Sequence, residues 1–243
     1  MAGRIAYYGN IVRDGLVLNL DAAKQDSYPG SGTVWRDIAD GVIAGSLING
    51  PTFNPNNFGS IVFDGVDDYV IIPNSTTLNI TSTITLESWI NLTALANANH
   101  GEGIFSKGLS SDGNSGVYET LLISSGGVNY PFFRMRIGSS TPFYNPQNIP
   151  INLNQIYHFV STYNGSIMRI FINGVESGTG FLQSGTIQSN TQDLTIGVRF
   201  TNRLGSSDSF FSGNIFSDRI YNRALSAAEV LQNYNAQKGR YGL

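Results

Sequence analysis

Five glutamates, Glu87, Glu102, Glu119, Glu176 and Glu229, are the side chains of this 243-residue chain that could cut a glycosidic bond. A retaining cleavage needs an acid and a nucleophile about 5–5.5 Å apart. On a strand, same-face neighbours two residues apart supply that separation, because side chains alternate between faces. A Glu-x-Asp-x-x-Glu run would do it. None of the five has an acidic residue two positions away. Glu87, on a strand beside Trp89, is the best isolated candidate, but without a partner it reads as an ordinary residue on an exposed strand face. Glu229 has another task, at a helix start. The expectation is a protein that is not an enzyme.

Other reactive constellations are missing from the sequence. His100 falls in a loop and His158 on a strand, where it reads as a hydrogen-bonded strand residue. With no cysteine and no His-x-x-x-His spacing, zinc has no ligand set. There is no nucleophile elbow, phosphate-binding glycine loop or dinucleotide fingerprint. Calcium is the ion to weigh, because Asp64, Asp67 and Asp68 crowd one turn and offer hard oxygen donors. The plainer reading is a solvated turn in which Asp64 accepts from nearby backbone amides. For sugar binding, Tyr130, Phe132, Phe143, Tyr144 and Phe200 could offer ring faces, although most aromatics of a β-rich protein are core. Eleven arginines against three lysines hint at protein contacts, since the guanidinium pairs bidentately and is weakly hydrated. Arg199, Arg203 and Arg219 are the candidates, with ordinary surface as the alternative.

These residues must be positioned by strands and turns. In Ile167–Ile172, Met168, Ile170 and Ile172 share one face, and Ile167, Arg169 and Phe171 the other, so one face is apolar and the other mixed. Asn164-Gly165 and Asn173-Gly174 read as hairpin turns, both residue types tolerating positive φ. Residues 15–21, 60–73, 83–91, 103–107, 116–124, 131–137, 192–200 and 210–221 read as further strands. Turn residues recur about every 8–12 positions, which points to a sandwich or jelly roll. The last strand suits pairing with the first. One helix follows, with Ser226 and Glu229 as a capping box. Val230, Leu231 and Tyr234 share its face, and Lys238-Gly239 is its expected stop.

Composition sets the outer limits. Apolar residues make up 41% and charged residues 13%, the balance of an ordered globular protein held by packing, without disulfides. The net charge of −3 makes no case for nucleic acid or an anionic membrane. No run approaches the roughly 18 apolar residues of a membrane span. The opening lacks a signal-peptide core, so synthesis in a cytoplasm without export by that route is expected. Residues 1–14 hold Ile5, Tyr7, Tyr8, Ile11 and Val12, too apolar for a free tail. They read as a packed lead-in or a docking arm, and residues 15–243 as the domain.

Several motifs resemble, in order, the laminin G-like jelly rolls of the concanavalin A-like lectin/glucanase superfamily. They are FDGVDDYVIIP at Phe63–Pro73, TITLESWI at Thr83–Ile90, GIFSKG at Gly103–Gly108, the double-turn hairpin, and FFSGNIFSDRIYNRALSAAEV at Phe210–Val230. The likeness runs from Gly15 to about Tyr234. It implies an all-β, concanavalin A-like jelly-roll sandwich of two antiparallel sheets, one concave, with one short C-terminal helix. Each sheet would have roughly six or seven strands, and the sheets would lie about 10 Å apart. Related domains often hold calcium at a rim, which is the setting implied for Asp64, Asp67 and Asp68. No catalytic residue is implied.

A narrower likeness concerns the opening. IVRDGLVLNLDAAKQDSYPGSGTVWRDI at Ile11–Ile38 is similar to the start of jelly-roll proteins among the structural proteins of tailed bacteriophages. It implies a virion setting, on capsid or tail, for a protein made in the host cytoplasm. The expectation is a non-enzymatic virion structural protein that uses a lectin-like jelly roll for attachment or adhesion. The alternative is a carbohydrate-binding module, calcium-dependent or not. Other virion proteins, glycans and further copies of the chain are the partners this setting implies.

Overall fold

The structure, a computed structural model, describes residues 11–98, 101–108, 116–200 and 209–243. Strand alternation follows the sequence pattern. In Ile167–Ile172, Met168, Ile170 and Ile172 enter the core, while Phe171 on the mixed face is buried beneath the C-terminal helix. Asn173-Gly174 makes a two-residue turn with both φ values positive, 53° and 79°, the conformation that matches strand twist. Asn164-Gly165 works differently. Residues 164–166 separate the paired strands, and the Asn164 side chain accepts from the Ser166 and Ile167 amides at 3.0 and 2.9 Å. Asparagine shapes that loop through its amide oxygen, and Gly165 alone takes the positive φ.

Two antiparallel sheets face each other across one core. The nine-stranded sheet runs from Val175–Glu176 through Ile167–Ile172, Ile156–Tyr163, Ile84–Leu92, Ser212–Tyr221 and Ser60–Asp64 to Thr52–Asn54. Leu16–Asp21 pairs with Ser212–Tyr221, so the first long strand does lie beside the last. Phe181–Leu182 adds to Ile167–Ile172. The eight-stranded sheet runs from Phe143–Tyr144 through Val128–Met135, Tyr118–Ser125, Glu102–Lys107, Leu194–Ile196, Tyr69–Ile72 and Ala44–Ile48 to Val34–Arg36. Short edge strands carry both sheets beyond the expected strand number. Ser209–Phe210 does not extend the last strand but pairs with Val198–Arg199 as a separate ribbon.

Leu86, Ile90, Phe159 and Ile220 meet Phe105, Leu122, Phe133 and Ile196 from the opposite sheet. Fully burying each such side chain is worth about 1.5–3 kcal/mol, so this layer holds the sandwich together. The helix, Ala227–Gln237, starts on the expected capping box. Its inward face differs from expectation: Val230 is buried, but Leu231 is 44% exposed, and Asn233 and Gln237 turn inward. The face is polar because it covers a polar network. Lys238-Gly239 is not the stop either. A 3-10 turn, Lys238–Tyr241, continues the helix, and Gly242 with φ 71° ends it.

Candidate functional site

Glu87 is not exposed, contrary to the sequence expectation. It is fully buried on the outer face of the nine-stranded sheet, beneath the helix. Arg219 Nη1 donates to Oε1 at 2.9 Å and Asn233 Nδ2 to Oε2 at 2.6 Å, with His158 Nε2 3.3 Å from Oε1. Burial opposes the charge, yet His158, Arg219 and Asn233 together hold the carboxyl at about 2. Arg219 also donates to Asn19 and Gln237 and lies 3.5 Å from Asp21, which accepts from Arg240 at 3.0 Å. Two carboxylates thus flank one guanidinium. Trp89, stacked on Tyr234 and Tyr241, closes the space beside them. Substrate has no path to this pair. Arg219, a candidate protein contact in the sequence, is 1% exposed and belongs to the same tie. The His158 backbone amide donates to Asn173 Oδ1 at 2.9 Å, as a strand residue would.

Three further buried ionisable groups stand apart from one another. Asp218 lies between the sheets, where burial raises its carboxyl to about 8 although Ser88 Oγ donates to it at 2.5 Å. Burial also raises Glu102 to about 8, with Oε2 accepting from the Ser212 amide at 3.3 Å. Lys107, at the other end of that strand, is lowered to about 8 by burial. Its Nζ donates to Asn74 Oδ1 and to the Gln192 carbonyl.

The outer face of the eight-stranded sheet is built differently. Along Val128–Met135, Asn129, Pro131, Phe133 and Met135 point inward, and Tyr130, Phe132 and Arg134 outward. The register sets Leu121 beside Phe132, and Glu119 and Phe143 on either side of Arg134. The Phe132 and Phe143 rings stack at 5.1 Å and 12°. Phe143 is 55% exposed. Glu119 is buried beside this platform, its Oε2 2.5 Å from Arg134 Nη2 and 3.4 Å from Arg199 Nε, while Ser106 Oγ donates to Oε1 at 3.1 Å.

A ribbon covers part of this face. Val198–Arg199 crosses over Glu102–Lys107, and Gly103 permits the approach, since a Cβ there would overlap the Val198 carbonyl. The ribbon brings Arg199 to Glu119. Burial lowers the Arg199 guanidinium and Glu119 counteracts it. Arg199 is therefore an internal partner of Glu119, not the exposed contact the sequence suggested. What stays open is the strip carrying Tyr130, Phe132, Arg134 and Phe143.

The remaining candidates scatter. Tyr144 sits on the core side of its edge strand, its hydroxyl donating to the Ser177 carbonyl at 3.0 Å and accepting from the Gly180 amide at 3.1 Å. It is not part of the platform. Phe200 packs edge-on against Tyr69 and Phe210 at 5.2 and 6.5 Å, toward the other end of the face. His100 and Arg203 lie outside the described residues. In the acidic turn, Asp64 Oδ1 accepts from Val66 and Asp67 amides at 2.8 and 3.3 Å, and Asp68 Oδ2 from the Asp64 amide at 3.1 Å. One carboxylate oxygen from each of the three lies within 4.8 Å of the others. The Val66 amide lowers Asp64, whereas burial and then its two acidic neighbours raise Asp68.

A cleft of about 370 Å³ opens on the opposite side, between the Ile167–Ile172 strand and the helix start, with Thr162, Arg169, Glu176 and Glu229 in its wall. Its charges pair internally, Arg169 with Glu176 at 2.9 Å and Glu229 with Arg223 at 2.6 Å. Sequence reasoning counted Glu119 as a glutamate without a partner. Its partners are arginines distant in sequence, and the one local signal was the alternation Tyr130-x-Phe132-x-Arg134.

A family model described as the concanavalin A-like lectin/glucanases superfamily matches residues 64–231. No curated protein matches the sequence. Among solved structures, domain 4 of an extracellular arabinanase from Geobacillus stearothermophilus, in complex with arabinotriose, superposes with a TM-score of 0.66 at 16% identity, covering 90% of this chain and 98% of that one. Botulinum neurotoxin type C, described as entering cells through two ganglioside molecules, gives 0.67 at 17% identity over 93% of this chain and 52% of the other. Trypanosoma rangeli sialidase gives 0.61 at 19% over 93% and 33%. The chain therefore spans nearly all of the first, about half of the second and a third of the last. At these identities the likeness establishes the fold. Among the described residues no helix is long and apolar enough to cross a membrane.

Proposed function

The chain belongs to the concanavalin A-like lectin/glucanases superfamily, and on that premise we propose that it is a non-enzymatic carbohydrate-binding and adhesion module. The observation that carries the reading is the open strip on the eight-stranded sheet. The exposed Phe143 ring, stacked on a half-buried Phe132, can take the apolar side of a pyranose. Arg134, already held by Glu119, donates hydrogen bonds without paying the full cost of ordering. The buried acids argue against hydrolysis: Glu87 and Asp21 are sealed under the helix, and Glu119 lies beneath two arginines. Neighbours described with arabinotriose or gangliosides support sugars as the ligand class.

A glycan array on the wild-type chain and Phe143→Ala tests this. Losing an aromatic contact of about 0.5–1.5 kcal/mol predicts weakening of roughly twofold to tenfold, with the fold retained. An array on which the wild type holds nothing would end the reading. Polysaccharide cleavage abolished by Glu87→Gln would end its non-enzymatic part.

The virion setting is proposed with it, as a capsid-decorating or tail-associated protein. Its support is the phage-like opening, whose Leu16–Asp21 and Trp35 are integral to the sandwich. The protein should sediment with assembled particles; finding it only in the unassembled fraction overturns that setting. Calcium is the proposed ion for Asp64, Asp67 and Asp68. Three carboxylates fall short of the 6–8 oxygens calcium prefers, so backbone carbonyls and water would complete the shell. Calorimetric titration with calcium should release heat that Asp67→Asn abolishes, and a flat titration discards the ion.

A further inference from the structure

We propose that the cleft between the Ile167–Ile172 strand and the helix start is a second ligand site, one that takes an uncharged saccharide. It lies on the outer face of the nine-stranded sheet, so it stands or falls apart from the aromatic strip. Its volume of about 370 Å³ is at the lower end of the range that small ligands fill, about 300–1,000 Å³.

Strand pairing sets Arg169, Thr162 and Thr85 side by side in one row on that face. The two threonines are used differently. Thr85 lies under the segment that leads into the helix, where its hydroxyl donates to the Arg223 carbonyl at 2.8 Å and accepts from the Leu225 amide at 2.8 Å. Thr162, one strand further out, lies beyond that cover and in the cleft lining. It is 3% exposed, yet no described residue donates to its hydroxyl or accepts from it. A hydroxyl held out of bulk water costs free energy while it lacks a partner. A ligand hydroxyl standing in the cleft supplies that partner.

The groups around Thr162 set the class of ligand. Arg169 meets Glu176 through Nε and Oε1 at 2.9 Å. A guanidinium has five N–H donors and a carboxylate about four lone-pair sites, so this one contact leaves both groups able to bond a ligand. The oxygens of Glu229 are taken, by Arg223 and by the amide and hydroxyl of Ser226. Each charge in the lining is therefore paired already. An anion would come to rest beside Glu176 and Glu229, and a cation beside Arg169. A hydroxyl carries no charge and both donates and accepts, so it can bridge Arg169 and Glu176 at once. Phe171 and Leu225 add an apolar flank to the same lining. Hydroxyls at the rim and C–H groups on the face are the surface of a sugar ring.

The test is a glycan array followed by calorimetry on the full chain, with wild type beside Thr162→Val, Thr162→Ser, Arg169→Met and Phe143→Ala. Valine removes a hydroxyl that no described residue uses, so thermal melts should match wild type. Binding of at least one uncharged glycan should weaken roughly twofold to tenfold in Thr162→Val, the worth of one hydrogen bond. Serine should restore it; a loss that serine leaves in place reports packing and counts against the site. Arg169→Met should weaken the same glycan about tenfold or more, because its bond is charge-assisted. That variant carries the comparison should Thr162→Val not fold. Phe143→Ala should leave this glycan unmoved. If every bound glycan depends on Phe143 and none on Thr162 or Arg169, the cleft site is overturned and the reading of the strip stands. If every bound glycan depends on the cleft and none on Phe143, the cleft site holds and the strip fails. Dependence on Thr162 confined to charged glycans overturns the ligand class. A blank array overturns both sites.

Discussion

Each outer face of the sandwich buries a glutamate against arginine, and the two differ in what lies above it. Glu87 accepts from Arg219 and Asn233, and a helix and a stack of Trp89, Tyr234 and Tyr241 close over it. Glu119 meets Arg134 and Arg199, yet only a two-stranded ribbon reaches across, so one arginine still touches solvent. The same kind of ion pair is sealed under one cover and partly open to solvent under the other. Burial, more than residue type, decides the role.

The strongest way to break that comparison is to remove the arginine on each side. Arg219→Met leaves Glu87 and Asp21 buried without their shared partner, and stability measured by denaturant should fall by about 3–5 kcal/mol. Arg134→Gln leaves Glu119 with Arg199 and should cost about 1–2 kcal/mol. Equal losses would mean that the two faces do the same job.

Acid and alkali separate the sealed groups next. The Glu87 carboxyl, near 2 in the folded chain, lies below its ordinary value. Its contribution is full above the ordinary carboxylate range and is lost as pH falls toward 2. Asp218, raised to about 8 by burial, acts oppositely: its contribution is full below about pH 4 and drains away as pH rises through 8. The wild type should therefore melt lower at pH 9 than at pH 6, and Asp218→Asn should flatten that alkaline slope. An unchanged slope would show that Asp218 is already ionised at pH 6, with Ser88 donating to the carboxylate.

The smallest expected change is Phe143→Ala, whose ring is 55% exposed. Stability should stay within about 0.5 kcal/mol of wild type, so any loss of sugar binding reports on contact and not on folding. A large loss would mean the ring is a structural prop, which would move this strip toward the sealed side of the comparison.

Strands, hairpins and the capping box were legible because they depend on neighbours in sequence. Met168, Ile170 and Ile172 announced their face by alternation, and Ser226 with Glu229 by spacing. Phe132 and Phe143 were named among the aromatics, but their stacking was not visible before strand pairing was known. The exposure of Glu87 was misread because its cover comes from residues nearly 150 positions later. Asn233 and Gln237 were missed for a related reason: polar residues on a helix suggest solvent, and here they face a buried arginine and glutamate. Long-range charge pairing leaves no periodic trace.

The pairing of Leu16–Asp21 with Ser212–Tyr221 also decides how the molecule can be tethered. Val12 is anchored to Asn233, and Arg240 to Asp21, on the helix-bearing side. Beads, a fused scaffold or a larger particle grafted near either of those residues would grip the back of the molecule. The aromatic strip would then look outward, like a palm offered by a hand held at the wrist.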